Sequence, residues 1–270
     1  MTAAPAASTP PVNVLTCRNL RKSFGGKVAV DGAEIDVPQG IVTALIGPNG
    51  AGKSTVVNLF SGFMVPDAGV VQLDGVDITS WPSHRIARRG LIRTFQLSRE
   101  LQGLTVLENL LVTPTNQIGE SLKNIYFRPG KVRRQERQHV ERANEILNDY
   151  GLYGVRDNWA RALSGGQKRL LELARAVMAQ PRVLLLDEPM AGVNPALVEQ
   201  IGAHILKLKS DGVTVLMVEH NLGVVERICD HVVVLAEGRT LATGRMSELR
   251  SNAAVVQSYL GGVLDARLDS

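Results

Sequence analysis

Aromatic residues are scarce in this chain of 270 residues, at 4% of the total. Basic residues cluster at positions 85–93 and 128–142, and no aromatic residues interleave with them. Because proteins that bind nucleic-acid strands combine such charges with aromatic stacking platforms, we expect no nucleic-acid partner. Two interpretations of the basic clusters remain open. They are solvated helix faces, or they contact anionic lipid or a membrane partner.

Long apolar runs are also missing. No stretch of the sequence approaches the roughly 18–20 apolar residues that a membrane-spanning helix needs, so we expect any membrane role to go through a partner chain. Residues 1–12 lack the basic start and apolar middle of a signal peptide, and their Ala, Pro, Ser and Thr content predicts a disordered tail. The two cysteines, Cys17 and Cys229, form neither a metal-ligand spacing nor a disulfide framework, which is typical of a reducing cytoplasm.

Apolar patterns predict the strands of the fold. Residues 14–20 and 28–37 alternate and contain β-branched side chains, and the Gly-Gly turn between them predicts a small antiparallel sheet. The run at residues 183–186 is continuously apolar, as expected for a central parallel strand. Further strands are predicted at residues 41–46, 70–73, 91–95, 213–218 and 232–236.

Helical patterns alternate with these strands. They predict helices at residues 53 to about 60, 106–112, 135–152, 166–179, about 195–209 and 222–229. Alternating strands and helices predict an α/β fold with a parallel sheet covered on both faces. A helical block at about residues 97–180 interrupts the alternation. The prediction is a single domain at residues 13–245 with an inserted α-helical subdomain, a small antiparallel β subdomain, and an extension at residues 246–270.

A Gly-rich segment between the strand at 41–46 and the next helix has the pattern of a phosphate-binding loop. Its residues are Gly47, Pro48, Asn49, Gly50, Ala51, Gly52, Lys53 and Ser54. Glycines let backbone N–H groups curl around phosphates, and the helix N-terminus adds positive potential. We expect Lys53 to reach the β- and γ-phosphates, Ser54 to bind Mg²⁺, and Thr55 to join the nucleotide site. The alternative is a plain Gly-rich turn, which the flanking strand and helix disfavour.

Two acids end the apolar run at 183–186. Ligands gather at the carboxyl ends of strands in open α/β sheets, and adjacent residues there point in different directions. Asp187 is therefore expected to hold Mg²⁺ through water, and Glu188 to polarise an attacking water as general base. The alternative is a polar exit from strand to loop.

Between the loop and the acids lies the sequence LSGGQ, at residues 163–167. Ser164 is expected to cap the helix that follows, and a capped helix N-terminus with two glycines can bind an anion. Together with the loop and the acids, LSGGQ resembles one superfamily, the ATP-binding cassette ATPases. That resemblance implies a phosphate-loop NTPase (RecA-like) core and an ATP held between two chains. It places Ser164, Gly165, Gly166 and Gln167 at the γ-phosphate of the opposite subunit.

The same resemblance assigns roles to isolated residues. Gln96 would contact Mg²⁺ and the nucleophilic water, and His220 would contact the γ-phosphate. Phe24 would stack on adenine, although it could equally be a core aromatic. Residues 190–195 depart from the commonest form of the interface loop, because Asn194 stands where many members have Asp. This substitution loses a charge and keeps a hydrogen-bonding side chain.

Other segments narrow the resemblance. The A-G-V-N-P at residues 191–195, the R-T-F-Q at 93–96, and the segments at 104–112 and 255–261 resemble ATPases of branched-chain amino acid importers. Such a machine implies a second, related but different ATPase chain, two multi-spanning permeases contacted by residues 97–112, and an extracytoplasmic solute-binding protein. The chain would then lie at the cytoplasmic face of the membrane.

Several alternatives stay open within and beyond this group. Importers of urea, other small amides or other amino acids share several of these segments, as does a lipopolysaccharide-export ATPase. The rival from another class is a non-transport cassette protein acting in DNA repair or translation. Those proteins usually carry two cassettes or a long coiled coil, and this sequence has neither.

Overall fold

A computed structural model describes residues 12–94, 99–115, 117–120 and 122–258. The strands of this part of the chain are β1 (Asn13–Phe24), β2 (Lys27–Pro38), β3 (Val42–Ile46), β4 (Ala68–Leu73), β5 (Val76–Asp77), β6 (Leu91–Arg93), β7 (Val183–Asp187), β8 (Thr214–Val218), β9 (His231–Ala236) and β10 (Arg239–Gly244). Its α-helices are α1 (Lys53–Phe60), α2 (Ser83–Arg88), α3 (Val106–Leu111), α4 (Leu122–Phe127), α5 (Pro129–Asp149), α6 (Gly165–Met178), α7 (Pro195–Ser210), α8 (Leu222–Ile228) and α9 (Met246–Leu249). Residues 253–258 are also helical, and short 3-10 helices lie at Arg99–Gly103, Ile118–Glu120, Tyr153–Val155 and Ala160–Ala162.

The smaller sheet is antiparallel, with strand order β2-β1-β4-β5. Its first hairpin closes where Phe24 pairs with Lys27. Gly25 and Gly26 form the turn at φ +51° and +89°, a left-handed pair that glycine adopts without strain. The predicted antiparallel β subdomain is therefore present, and its turn is the predicted one.

The larger sheet has the strand order β10-β9-β3-β8-β7-β6. Neighbouring strands from β9 to β6 run parallel, while β10 is antiparallel to β9. The sequence predicted only parallel strands here. The β10 strand was missed because its residues alternate between exposed and half-buried, as suits an edge strand, and show no buried apolar run.

Apolar side chains cover both faces of the larger sheet. Along β3, Ala44 and Ile46 join the cluster formed with the helices, whereas Leu45 joins the cluster shared with the smaller sheet and α1. This alternation follows from the period of two along a strand. Packing on both faces orients β3 and therefore the loop that follows it.

Some element boundaries differ from the predicted ones. Helix α5 begins at Pro129 instead of 135, because proline suits the first helical position while the basic residues after it show no apolar period. Strand β6 ends at Arg93, and the predicted continuation to Phe95 lies outside the described residues. Helices α2 and α4, each six residues long, were not predicted.

The ends of the predicted domain can be compared only in part. Residues 1–11 of the predicted tail and residues 259–270 of the predicted extension lie outside the described part of the chain. Met246, Leu249 and Val255 are buried in the same cluster as Ile228, so the start of the extension packs on the domain. No helix of the described residues is long and apolar enough to cross a membrane.

Candidate functional site

Neighbouring strands of the larger sheet deliver the predicted site residues to one edge. Strands β3, β8 and β7 lie side by side and parallel, with Leu45 and Asp187 both in register with Val218. The phosphate loop follows β3, Glu188 follows β7, and His220 comes shortly after β8. The carboxyl ends of parallel strands are where ligands bind in open α/β sheets.

Glycine is required in the phosphate loop for two measurable reasons. Gly47 and Gly52 have φ values of +153° and +98°. A Cβ atom would lie 2.0 Å from the carbonyl oxygen of Leu235 at Gly47, and 2.4 Å from that of Ala29 at Gly52. The loop is therefore packed directly against the backbones of β9 and β2. Only glycine allows this close approach to the two strands.

Lys53 lies over this loop. Its ammonium group donates to the carbonyl oxygens of Gly47 at 2.8 Å and Pro48 at 2.9 Å. Burial lowers the pKa of Lys53, while the charges of Glu188 and Asp187 oppose the shift. A half-buried cation on a Gly-rich loop at the N-terminus of a helix fits a phosphate group of a nucleotide.

Of the three residues predicted for Mg²⁺, Gln96 lies outside the described residues, and the other two supply a hydroxyl and a carboxylate. Ser54 is exposed in the first turn of α1, and Asp187 ends β7. No cluster of three or more His, Cys, Asp or Glu side chains that could hold a metal ion occurs among the described residues. A hydroxyl and a carboxylate oxygen are donors that fit Mg²⁺, which takes few protein oxygens and fills its shell with phosphate oxygens and water.

Asp187 carries a contact that the sequence did not predict. Arg93, at the end of β6, donates to its carboxylate at 2.9 Å and to the Oδ1 atom of Asn58 at 2.6 Å. The arginine thereby ties Asp187 to the helix of the phosphate loop. No signal in the sequence indicated this pair beyond the position of Arg93 three residues before Gln96. Gln96 itself lies outside the described residues, so its role stays a prediction.

Glu188 is exposed and has φ +48°, a left-handed conformation that costs a non-glycine residue about 1–2 kcal/mol. Its N–H donates to the carbonyl oxygen of Val218 at 3.0 Å. Arg169 donates to its carbonyl oxygen at 2.7 Å. The backbone is therefore held on both sides, and the carboxylate faces solvent at the edge that also bears Lys53.

His220 is exposed beside this edge, next to a buried carboxylate. Glu219 is 1% exposed and accepts from the backbone N–H of Met190 at 3.0 Å and of His220 at 3.2 Å. It joins the segment after β8 to the segment after β7. No role for Glu219 was predicted from the sequence. The only available signal was an acid next to a buried apolar run.

The LSGGQ segment begins helix α6 in the predicted way. The Gln167 N–H donates to the Ser164 hydroxyl at 3.2 Å, and the Ser164 N–H donates to the Gln167 side chain at 3.0 Å. Ser164 and Gly165 are exposed, and a Cβ atom at Gly166 would lie 3.0 Å from the side chain of Leu197. The predicted cap is confirmed, and it leaves an open helix N-terminus that suits an anion.

A protein-family profile described as ABC transporter matches residues 30–191. The chain belongs to the ABC transporter family. The high-affinity branched-chain amino acid transport ATP-binding protein BraF of Pseudomonas aeruginosa is 41% identical over 249 residues, which are 92% of this chain and 98% of that relative. The probable branched-chain amino acid transport ATP-binding protein LivG of Archaeoglobus fulgidus is 42% identical over 250 residues, with 93% of this chain and 96% of the relative covered.

Solved structures agree with this assignment. A crystal structure of a nucleotide-free ATP-binding cassette from an ABC transporter matches with a TM-score of 0.79 at 39% identity, covering 92% of this chain and 99% of that one. The predicted α/β phosphate-loop core is confirmed by this likeness. As a cassette of this family, the chain binds nucleotide and is an ATPase coupled to transport.

Two further residues of the cassette can now be placed. Phe24 is 45% exposed at the end of β1, so the alternative of a core aromatic is wrong, and stacking on adenine remains a proposal. Asn194 caps α7 by accepting from the Leu197 N–H at 2.9 Å, ahead of Pro195. The amide therefore serves the local backbone, as the retained hydrogen-bonding side chain suggested.

A cavity of about 320 Å³ opens between the sheet core and the helical block. Its lining includes side chains from α2, β6 and α6 and from the segment after α3: Ser83, Arg93, Thr94, Thr113, Glu172 and Arg175. The predicted permease contact at residues 97–112 stays a prediction, and residues 101–112 do not line this cavity. The reason is that Val106, Asn109 and Leu110 are buried against neighbouring helices.

Neither cysteine takes part in the site. Burial raises the pKa of both Cys17 and Cys229 to about 12, so both thiols stay protonated near neutral pH. A protonated buried thiol is a poor nucleophile and a poor metal ligand. Both are free, in agreement with the predicted absence of a disulfide framework.

Proposed function

We propose that this chain is the ATP-binding and ATP-hydrolysing subunit of an importer for branched-chain amino acids. The observation that carries the proposal is the gathering of Lys53, Glu188 and His220 at the ends of adjacent parallel strands. Relatives named as branched-chain amino acid transport ATP-binding proteins support the choice of solute.

In this proposal the phosphate loop and Lys53 bind the phosphates of ATP. The backbone N–H groups of residues 47 and 49–54 donate to the phosphate oxygens, and the Lys53 ammonium turns from the loop carbonyls to the β- and γ-phosphates. Ser54 and Asp187 would hold Mg²⁺, which neutralises phosphate charge when it is bound. Thr55 follows on the same helical turn, and Phe24 covers the adenine.

Hydrolysis then depends on the residues beside the γ-phosphate. Glu188 accepts a proton from the attacking water as general base, and its exposed carboxylate is free to reach that water. His220 donates to the γ-phosphate, and Gln96 orients the water. The exposed N-terminus of α6, with Ser164, Gly165, Gly166 and Gln167, completes the site of a second, related cassette.

The partners in this proposal are a different cassette chain, two multi-spanning permeases and, indirectly, an extracytoplasmic solute-binding protein. The cavity beside Arg93 and Thr113 is the proposed seat of a permease segment, since it lies between the catalytic core and the helical block. The chain would lie peripherally at the cytoplasmic face of the membrane. The sequences of the relatives, which are named as transport proteins, support this arrangement.

Uptake of labelled solutes tests the proposal. Deleting the gene should abolish high-affinity uptake of leucine, isoleucine and valine, and the wild-type gene should restore it. Urea, small amides and other amino acids are measured in parallel. Loss of urea or amide uptake alone would overturn the solute and keep the ATPase. Unchanged uptake of every solute, with no permease co-purifying with the tagged chain, would overturn the importer.

A further inference from the structure

Arg169 lies in α6, close to the N-terminus formed by Ser164 and Gly165. Its guanidinium donates through Nη2 to the carbonyl oxygen of Glu188 at 2.7 Å and through Nε to that of Pro189 at 3.1 Å. A guanidinium presents several donors in one rigid plane, so it can hold two successive carbonyls in a fixed relation. One side chain of the LSGGQ helix therefore fixes the backbone of the proposed general base.

The contact matters because of the conformation that it holds. Glu188 has φ +48°, which side chains other than glycine rarely adopt and which persists only where the surroundings impose it. The N–H of Glu188 is bonded to Val218 of the sheet, and its carbonyl is bonded to Arg169. The direction of the Glu188 carboxylate is thus set jointly by the sheet and by α6.

The far side of the same segment is held as well. Glu219, one residue before His220, accepts the N–H of Met190 at 3.0 Å. The peptide groups from Glu188 to Met190 are therefore fixed by Arg169 through their carbonyls and by Glu219 through an N–H. A movement of α6 relative to the sheet would be transmitted to Glu188 through this short segment.

We propose that Arg169 is the positioning residue that couples Glu188 to the LSGGQ helix, so that contact of this helix with the ATP of the opposite subunit sets the geometry of the general base in its own subunit. The inference rests on the proposed function, because it takes Glu188 as the base and α6 as the contact to the second cassette. It gives one molecular route by which the two ATP sites of the sandwich influence each other.

A second role of Arg169 must be separated from this one. Its Nη1 atom lies 2.9 Å from the carboxylate of Glu172, whose side chain is 7% exposed. Burial raises the pKa of Glu172, and the charge of Arg169 opposes the shift. Removing Arg169 alone would take away the positive charge that faces this buried carboxylate, and this loss would by itself lower the stability of the fold.

The chain offers matched variants for this separation. Arg169→Gln removes the two contacts to the carbonyls, and Arg169→Lys restores one donor. Glu172→Gln removes the ion pair and keeps both carbonyl contacts. The double variant Arg169→Gln with Glu172→Gln removes the contacts without leaving the Glu172 carboxylate unpaired, and it also removes the negative charge near Arg175. Each is assembled with its partner cassette and permeases, and kcat, KM for ATP and the thermal unfolding midpoint are measured.

The expected result is a split between kcat and KM. Arg169→Gln and the double variant should lower kcat by about tenfold to a hundredfold, as small displacements of catalytic groups do, with KM for ATP unchanged. Arg169→Lys should recover part of kcat, and Glu172→Gln, which keeps both carbonyl contacts, should lower kcat less than Arg169→Gln does. If Arg169 positions Glu188, the kcat values of the variants should follow this order whatever their unfolding midpoints are.

A purely structural ion pair predicts a different order. Equal losses in Arg169→Gln and Glu172→Gln, following the unfolding midpoints, would overturn the inference, and so would full activity of the double variant. If Glu188→Gln is inactive while Arg169→Gln is normal, the proposed function stands and this inference fails. If Glu188→Gln is fully active, the proposed function itself has failed.

Discussion

At the scale of single residues, the site depends on charged groups whose burial or backbone conformation costs free energy of folding. Lys53 is half-buried, and burial lowers its pKa. Glu188 has a left-handed backbone, and the carboxylate of Glu219 is buried. Such features are costly to the fold and persist at functional sites because the surrounding contacts impose them.

Lys53→Met should weaken ATP binding by about tenfold or more, because a hydrogen bond to a charged group contributes about 1.5–3 kcal/mol. The measurement is the dissociation constant for a fluorescent ATP analogue. Removing a half-buried cation should leave the unfolding midpoint unchanged or higher.

The control for Lys53→Met is Lys207→Met, which removes a surface lysine paired with Asp149 at 2.7 Å and should not change ATP binding. Undiminished affinity in Lys53→Met would contradict the placement of the triphosphate on the loop.

Sequence alone could identify the residues that belong to contiguous motifs, such as Lys53 and Glu188. It could not identify Arg93, Arg169 or Glu219, because their partners lie 94, 19 and 29 positions away along the chain. Nothing in the local pattern indicates such a contact, and only the packing of strands and helices brings the two ends together.

At the scale of elements, helix α6 begins at the LSGGQ segment, which is predicted to contact the ATP of the opposite subunit. Its start was predictable, since Ser164 and Gln167 form a capping box that local sequence encodes. The start of α5 at Pro129 was not, because basic residues there carry no apolar period. The local sequence thus predicts a helix end where side chains hydrogen-bond to the backbone. It does not predict a helix end that depends only on tertiary contacts.

Gly166→Asp should prevent closure of the two-cassette sandwich and keep ATP binding to the phosphate loop of the same chain. A carboxylate at this helix N-terminus would face the triphosphate of the opposite subunit across a partly desolvated interface, where like charges repel strongly. ATP-dependent association and fluorescent nucleotide binding are measured together.

Two controls separate charge from size in the Gly166→Asp experiment. Gly166→Ala brings a Cβ atom 3.0 Å from a flexible end of Leu197, and Gly165→Ala meets open space. Both should associate with ATP far better than Gly166→Asp. Loss of nucleotide binding in the Gly166→Asp pocket itself would argue against a site shared between two chains.

At the scale of the whole molecule, the exposed groups face outward at one sheet edge and at one helix end. Ser54, Glu188, His220 and Ser164 are all exposed in the single chain. The order of motifs and the alternation of strands and helices were enough to predict the α/β core. They could not predict the antiparallel strand β10 or the packing of Met246 on the core. Both depend on tertiary contacts, and no local sequence pattern indicates such contacts.

Turnover per chain should rise with chain concentration and rise further when the partner cassette and permeases are added. The reason is that, in the proposed sandwich, each ATP needs groups from two chains, which makes the site of the isolated chain incomplete. The measurement is phosphate release at a fixed saturating ATP concentration over a dilution series. Gly166→Asp should show no such rise. A rate per chain that does not change on dilution would indicate a complete site within one chain.

The most direct test of Glu188 as the general base is the ATP turnover of Glu188→Gln in the assembled transporter. Retention of labelled ATP is recorded in the same samples. Glutamine keeps the shape and removes the base, so turnover should fall by about a hundredfold or more while ATP stays bound. Glu199→Gln, which changes an exposed acid paired with Arg227, is the control and should turn over normally. Near-normal hydrolysis by Glu188→Gln would contradict the account.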